Sequence, residues 1–126
     1  LRKDGVITPY APTLSDTGDF EISGISSGTY DVRVKASHWL ATVQTGIEVS
    51  GSTTIATPFV MINGDADGDN ECGDSDVDLV STQWGYTISH PRFYADADLD
   101  GDGTIGEYDY AILGNTYGSL GEEFPH

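Results

Sequence analysis

Basic residues are the scarcest feature of this chain of 126 residues: five Lys plus Arg stand against 21 Asp plus Glu, a net charge of −16. Phosphate contacts need clustered Arg and Lys, so nucleic-acid binding is excluded as a function class. An anionic membrane surface would repel the chain for the same reason. Cysteine is nearly absent as well. Cys72 stands alone, so no internal disulfide can staple the fold. No apolar run approaches the roughly 18 residues of a membrane span, and membrane insertion is not expected. The chain opens on Leu1 without a basic segment leading into an apolar one, and reads as a processed or excised piece of something longer. No Asn-x-Ser/Thr sequon occurs. What is present suffices for a modest core: 37% of residues are hydrophobic and 10% aromatic, which separates the chain from a disordered acidic tail. The length allows one ordinary domain or two very small ones.

The acidity is unevenly spread. Residues 1–60 carry six acids against four bases, and residues 61–126 carry fifteen against Arg92 alone. This shift places a boundary near Asn63-Gly64, giving domains 1–62 and 63–126. The acidity is also repeated. Asp65-Ala-Asp67-Gly-Asp69 returns as Asp98-Leu-Asp100-Gly-Asp102, and at that offset of 33 seven of the 21 positions from 65 to 85 are identical. Apolar positions match too, as Cys72/Ile105, Leu79/Ile112, Val80/Leu113 and Trp84/Tyr117. The acidic half is an internal duplication.

Carboxylates at alternate positions, with Gly among them, let a chain curl around a hard cation and present several oxygens to it. With Asp98 as position 1, Asp100, Asp102, the Thr104 carbonyl and Asp109 fall at positions 3, 5, 7 and 12. The first copy supplies Asp65, Asp67, Asp69, the Glu71 carbonyl and Asp76. Asn70 takes the place of the turn glycine, tolerable because Asn enters the left-handed region more readily than most residues. A rival register beginning at Asp96 and ending on Glu107 fits the general EF-hand pattern. It is disfavoured because it puts Gly103 where paired loops need an apolar residue, whereas the 65/98 register puts Ile105 and Cys72 there. Two calcium ions are expected. Magnesium rarely uses all-protein carboxylate cages, and no Cys/His set has zinc spacing.

Each loop runs into a short helical pattern. Val77, Val80 and Trp84 lie at i, i+3 and i+7, as do Tyr110, Leu113 and Tyr117, with Gly85 and Gly118 where C-terminal caps belong. Trp84 and Tyr117 are expected in the core, and Cys72 as a small buried hydrophobe. No convincing helix precedes either loop, so the unit is loop–helix. Folding of this half is expected to be coupled to calcium. The strings GDADGDNECGDSDVDLV and ADLDGDGTIGEYDYAIL resemble the duplicated loop–helix repeats of dockerin domains, over about residues 63–121. That resemblance implies two bound calcium ions and a cohesin-like partner in an extracellular assembly. Cellulosomal dockerins commonly carry Ser/Thr pairs at loop positions 10–11 and basic residues in their helices. Here those positions are Asp74-Ser75 and Glu107-Tyr108, and neither helical segment holds Lys or Arg. The calcium chemistry carries over; the cohesin partner does not.

Residues 1–60 are rich in Thr, Ser, Val, Ile and Gly and read as all-β. Expected strands are Gly5–Tyr10, Asp19–Ser23, Gly28–Ala36, Ala41–Val49 and Thr53–Met61, with turns at Ser15–Gly18, Ser26–Gly28 and Ser50–Ser52. Tyr30, Val32 and Val34 alternate with Asp31, Arg33 and Lys35, as in a half-buried antiparallel strand. The string GDFEISGISSGTYDVRVKASHWL resembles the prealbumin-like, carboxypeptidase-regulatory or Cna-B type of immunoglobulin-like domain. Such sandwiches need about seven strands, so five leave the fold without its first strands. An unpaired edge over an apolar core would dock a strand from another chain.

No catalytic constellation emerges. His38, His90 and His126 are scattered, and His38 reads as packing or loop. The chain is therefore expected to be a non-catalytic, extracellular, calcium-binding structural or assembly protein. The favoured expectation is self-assembly with copies of itself, as a filament or surface-array subunit completed by strand exchange. The alternative is a module tethering a larger secreted protein to a cohesin-like partner.

Overall fold

The structure, a computed structural model, describes residues 1–125; His126 lies outside them. Contacts divide the chain into two compact units. One comprises Leu1–Arg33, Val43–Phe59 and the residues from Phe124; the other comprises Val34–Thr42 and Val60–Glu123. The strands are β1 (Arg2–Lys3), β2 (Val6–Ile7), β3 (Gly28–Ala36) and β4 (Trp39–Val49), in one sheet of order β2-β1-β3-β4. The helices are α1 (Asp74–Thr82) and α2 (Glu107–Thr116), with a single 3-10 turn at Ala95–Ala97 just ahead of the second acidic loop. The protein is thus mainly antiparallel β-sheet with two short helices. None of the described helices is long and apolar enough to cross a membrane.

In the first unit β1 pairs antiparallel with both β2 and β3, and Arg2 holds Asp31 of β3 through a 2.6 Å ion pair. The β3 strand has the expected bounds, and β4 begins two residues earlier than expected, at Trp39. Other expectations fail. Asp19–Ser23 and Thr53–Met61 form no strand, Gly5–Tyr10 contributes only Val6–Ile7, and an unforeseen strand forms at Arg2–Lys3. Among the described residues the four strands form one sheet. The expected strands fail because strand propensity requires a partner before it becomes a ladder. Phe20 and Phe59 of the two failed strands do pack, with ring centroids 6.3 Å apart. Thr57 lies beside β4, accepting from the Gln44 side chain at 2.8 Å.

The second unit is organised by the duplication. Its buried positions come in pairs 33 residues apart: Ala66 and Leu99, Cys72 and Ile105, Asp76 and Asp109, Val80 and Leu113. Cys72 is buried as expected. Each helix starts from an extended glycine, Gly73 or Gly106, whose N–H donates to the Asp at the third helical position, 2.7 Å to Asp76 and 2.9 Å to Asp109. Trp84 and Tyr117 are not in the core: they are 52% and 55% exposed. Both lie beyond the last helical residue, where the chain leaves the helical path at left-handed Gly85 and Gly118. Trp84 instead meets Tyr110 edge-on, with centroids 5.8 Å apart.

The two loops do not pair with each other through Cys72 and Ile105, as expected for a helix–loop–helix pair. Each pairs with the segment leaving the other repeat's helix. Cys72 donates to Ser119 and accepts from Gly118, at 2.9 and 2.7 Å; Ile105 donates to Tyr86 and accepts from Gly85, at 2.9 and 2.8 Å. The bridges Glu71↔Leu120 and Thr87↔Thr104 continue these ladders. The arrangement follows from the missing first helix: without it, the strand-like residue of each loop finds its backbone partners across the repeat.

The tip of the β3–β4 hairpin belongs to this second unit. The His38 carbonyl accepts from Gly64 and Asp65, Leu40 donates to Ile62, and His38 Nδ1 meets the Asn63 side chain at 2.9 Å. His38 is thus a structural residue. Asn70 completes the attachment: its Oδ1 accepts from Ala41 N–H at 2.8 Å and its Nδ2 donates to Glu123 at 2.9 Å. A Cβ on Gly121 would lie 1.9 Å from Asn70 Oδ1. Gly121→Ala is therefore expected to destabilise the protein by about 1–3 kcal/mol, the usual cost of overpacking. Thermal unfolding in saturating calcium would read it. In an Asn70→Gly background, where the obstructing side chain is gone, the same change should have a smaller effect.

Candidate metal centre

Two groups of four aspartates come together. Asp65, Asp67, Asp69 and Asp76 each offer one carboxylate oxygen within 4.8 Å of the others, and so do Asp98, Asp100, Asp102 and Asp109. Asp96 and Glu107, which the rival register would use, belong to neither group. In each group the first and last Asp are buried and the middle two exposed.

The loops are built by their own amide groups. Asp67 N–H and Asp69 N–H donate to Asp76 and Asp67, and Glu71 N–H donates to Asp69, at 2.9–3.1 Å. The second loop repeats this with Asp100, Asp102 and Thr104 as donors, at 2.9–3.2 Å. Asp65 Oδ2 accepts from Asn70 N–H at 3.1 Å, and Asp98 Oδ2 from Gly103 N–H at 2.9 Å. The left-handed turn that both loops need is made by Asn70 (φ 69°) and Gly103 (φ 84°). Glu71 and Thr104 lie in the short bridges to Leu120 and Thr87.

Two oxygens are left over. Among the described residues, the buried side-chain oxygens with no hydrogen-bond partner are Asp65 Oδ1 and Asp98 Oδ1. They occupy equivalent positions in the two repeats. A buried carboxylate oxygen without a donor is costly, and natural proteins rarely leave one. A cation in each group of four carboxylates would satisfy the orphaned oxygen there, so each donor set fits a hard metal ion.

The electrostatics carry the same strain. Burial pushes Asp76, Asp98 and Asp109 above the ordinary carboxylate value, and negative neighbours add to it, against opposing backbone donors. Burial acts on Asp67 and Asp100 too, but hydrogen bonds outweigh it and hold both below that value. Each loop therefore splits its carboxylates, because like charges at this spacing cannot all ionise cheaply. A carboxyl raised in the folded state stabilises the fold below its unfolded value, and that contribution is lost as pH rises through the folded value. In EGTA, the melting temperature should accordingly be higher at pH 4.5 than at pH 7.5. Saturating calcium should reverse the order, since protons then compete with the ion. A calcium-free protein that melts lower at pH 4.5 would contradict the assignment of these shifts.

No protein-family model matches the sequence, and none of the curated proteins is significantly similar to it. Solved structures are similar in fold. A C-terminal interface mutant of a type II Cohesin-X-Dockerin complex from Acetivibrio cellulolyticus holds a chain that matches with TM-score 0.72 and 23% identity. That match covers 86% of this chain and 74% of the other. An N-terminal interface mutant of a type II Cohesin-X-Dockerin complex from the same organism matches with TM-score 0.71 and 22% identity, over the same shares. Coverage of 86% leaves room for about 18 of the 126 residues outside the match. The likeness therefore extends over both the sheet and the paired loop–helix repeats. Likeness at this identity establishes the fold and leaves function to the site.

Sequence reasoning missed Lys35. Its ammonium lies 2.9 Å from Asp65 Oδ2, whereas strand alternation assigned it to solvent. No local signal pointed to it, because its partner Asp65 lies 30 residues further along the chain.

Proposed function

We propose that the chain is a non-catalytic, extracellular assembly module whose residues 63–121 bind two calcium ions and dock a cohesin-like protein. The observation that carries the calcium reading is the pair of orphaned buried oxygens, Asp65 Oδ1 and Asp98 Oδ1. The ligands of the first ion are Asp65, Asp67, Asp69, Asp76 and the Glu71 carbonyl. Those of the second are Asp98, Asp100, Asp102, Asp109 and the Thr104 carbonyl. All are oxygens, as calcium prefers, and millimolar extracellular calcium keeps even weak sites filled. The ions neutralise the loops and so fix the helices that follow them.

The docking face is acidic and aromatic. Asp74, Asp78 and Glu107 are exposed on α1 and α2, and Trp84 and Tyr110, exposed as well, meet edge-on. Neither helix holds Lys or Arg. A partner face that fits is basic around an apolar centre. Calorimetric titration with a type II cohesin, in millimolar calcium and again in EGTA, tests this. Binding in calcium alone is the expected result. Two bound calcium ions without cohesin binding would remove the partner and leave the metal site standing.

A second reading, self-assembly by strand completion, has one specific observation in its favour. Val32 is the one buried hydrophobic residue among the described residues of the first unit, while Val6 and Ile7 of β2 are 66% and 60% exposed. A strand from another copy would cover such a sheet. Sedimentation velocity in calcium decides it: large species support a filament subunit, and a monomer at all concentrations removes that reading.

A further inference from the structure

The backbone amides that donate to the aspartates match one for one in the two acidic loops at the 33-residue offset, but the loops differ in their cationic partners. Lys35, near the tip of the β3–β4 hairpin, places its ammonium 2.9 Å from Asp65 Oδ2, and its side chain is 26% exposed. Asp98, the equivalent residue of the second loop, is in no ion pair among the described residues; its Oδ2 accepts from Gly103 N–H alone. The same ammonium donates to the Ala36 and Ser37 carbonyls at 2.7 and 3.2 Å, which fixes it at the hairpin turn. Asp65 thus faces a fixed positive charge on one oxygen while its other oxygen is orphaned.

We propose that Lys35 is a built-in counter-ion of the first metal loop, setting that site's calcium affinity below the level its four aspartates would give. The proposal rests on the calcium reading above. Its physics is simple. The lysine charge sits on a carboxylate that would bind the ion, so it repels the ion and withdraws negative charge from it. It also relieves the four clustered carboxylates when no ion is bound. Both effects weaken binding at the first loop and leave the second untouched. When calcium falls, Asp65 keeps a cationic partner and the hairpin tip keeps its hold on the loop. A unit charge about 5 Å from a divalent ion, in water-like dielectric with physiological screening, amounts to about a five- to tenfold change in Kd.

The test reads each loop separately. The amide groups of Asn70 and Gly103 donate to Asp65 and Asp98, so their NMR shifts report ion binding at the first and second loops. Calcium-buffered titrations would compare the full chain with Lys35→Met and Lys35→Arg. In Lys35→Met the Asn70 midpoint is expected to fall about five- to tenfold while the Gly103 midpoint stays fixed. Lys35→Arg, which keeps the charge, should titrate like the native chain. An Asn70 midpoint that is unchanged or raised in Lys35→Met would overturn the proposal, with the Lys35→Gln variant read in its place if Lys35→Met does not fold in saturating calcium. Native loops in which neither amide responds to calcium would overturn the calcium reading itself, and the role of Lys35 with it.

Discussion

Chelation of calcium with EGTA is expected to lower the melting temperature of the unit formed by residues 34–42 and 60–123 by about 20–40 °C. An ion present at a hundred times its Kd stabilises the folded state by about 2.7 kcal/mol, so two sites contribute about 5 kcal/mol. For a unit of this size each kcal/mol moves the melting temperature by about 4–8 °C. The direction follows from charge. Residues 61–126 hold fifteen acids against Arg92, and four of those acids, Asp65, Asp76, Asp98 and Asp109, are buried. The apolar core that opposes this repulsion is small: Ala66, Cys72, Val80, Ala97, Leu99, Ile105 and Leu113. Circular dichroism during a thermal scan reads the effect, and restored calcium should restore the original curve. An unfolding curve unmoved by EGTA would remove calcium from the account of this fold.

Loss of a single loop aspartate should be nearly as severe. Asp109 does two things at once. Its Oδ1 accepts from Asp100 N–H at 3.2 Å and its Oδ2 from Gly106 N–H at 2.9 Å, tying the front of the loop to the start of α2. It is also one of the four carboxylates of the second cluster. Asp109→Ala removes the ligand, the cap and the closure of the loop together. Calorimetry should show the calcium stoichiometry falling from two to one, with the second site weakened by at least about 100-fold. The loss of the ion costs about 2.7 kcal/mol at the calcium level assumed above, and the lost cap adds about 1 kcal/mol. Asp109→Asn keeps one accepting oxygen, so it should recover part of the helix start while still losing the ion. Equal behaviour of the two variants would mean that the role of Asp109 is charge alone.

The repeats were legible in the sequence because their signal is local and printed twice. Alternate aspartates, the apolar residue at Cys72 and Ile105, and the helical spacing of Val80 and Leu113 all lie within one loop–helix stretch. Trp84 and Tyr117 misled because a period of 3.6 was carried past the helix ends at Thr82 and Thr116. The sheet was less legible. Alternation marks where a strand can form, as at Gly28–Ala36, but pairing is non-local, and Asp19–Ser23 had no partner to make a ladder. Lys35 was invisible for the same reason. Its neighbour in space is 30 residues further along the chain, and period-two logic assigns it a face without saying what stands there.

The crossed ladders have a consequence for how the chain is made. Loop residue Cys72 is held by Gly118 and Ser119, and Asn70 accepts from Gly121. The first loop, though synthesised early, cannot be closed until residue 121 has emerged from the ribosome. Until then its edge is open and its carboxylates repel. The second repeat must therefore form before the first is finished, and the two cannot fold as independent beads. A ribosome-bound chain stalled near residue 100 would hold no ordered ion loop at all; folding should appear as one step, once residue 121 has emerged.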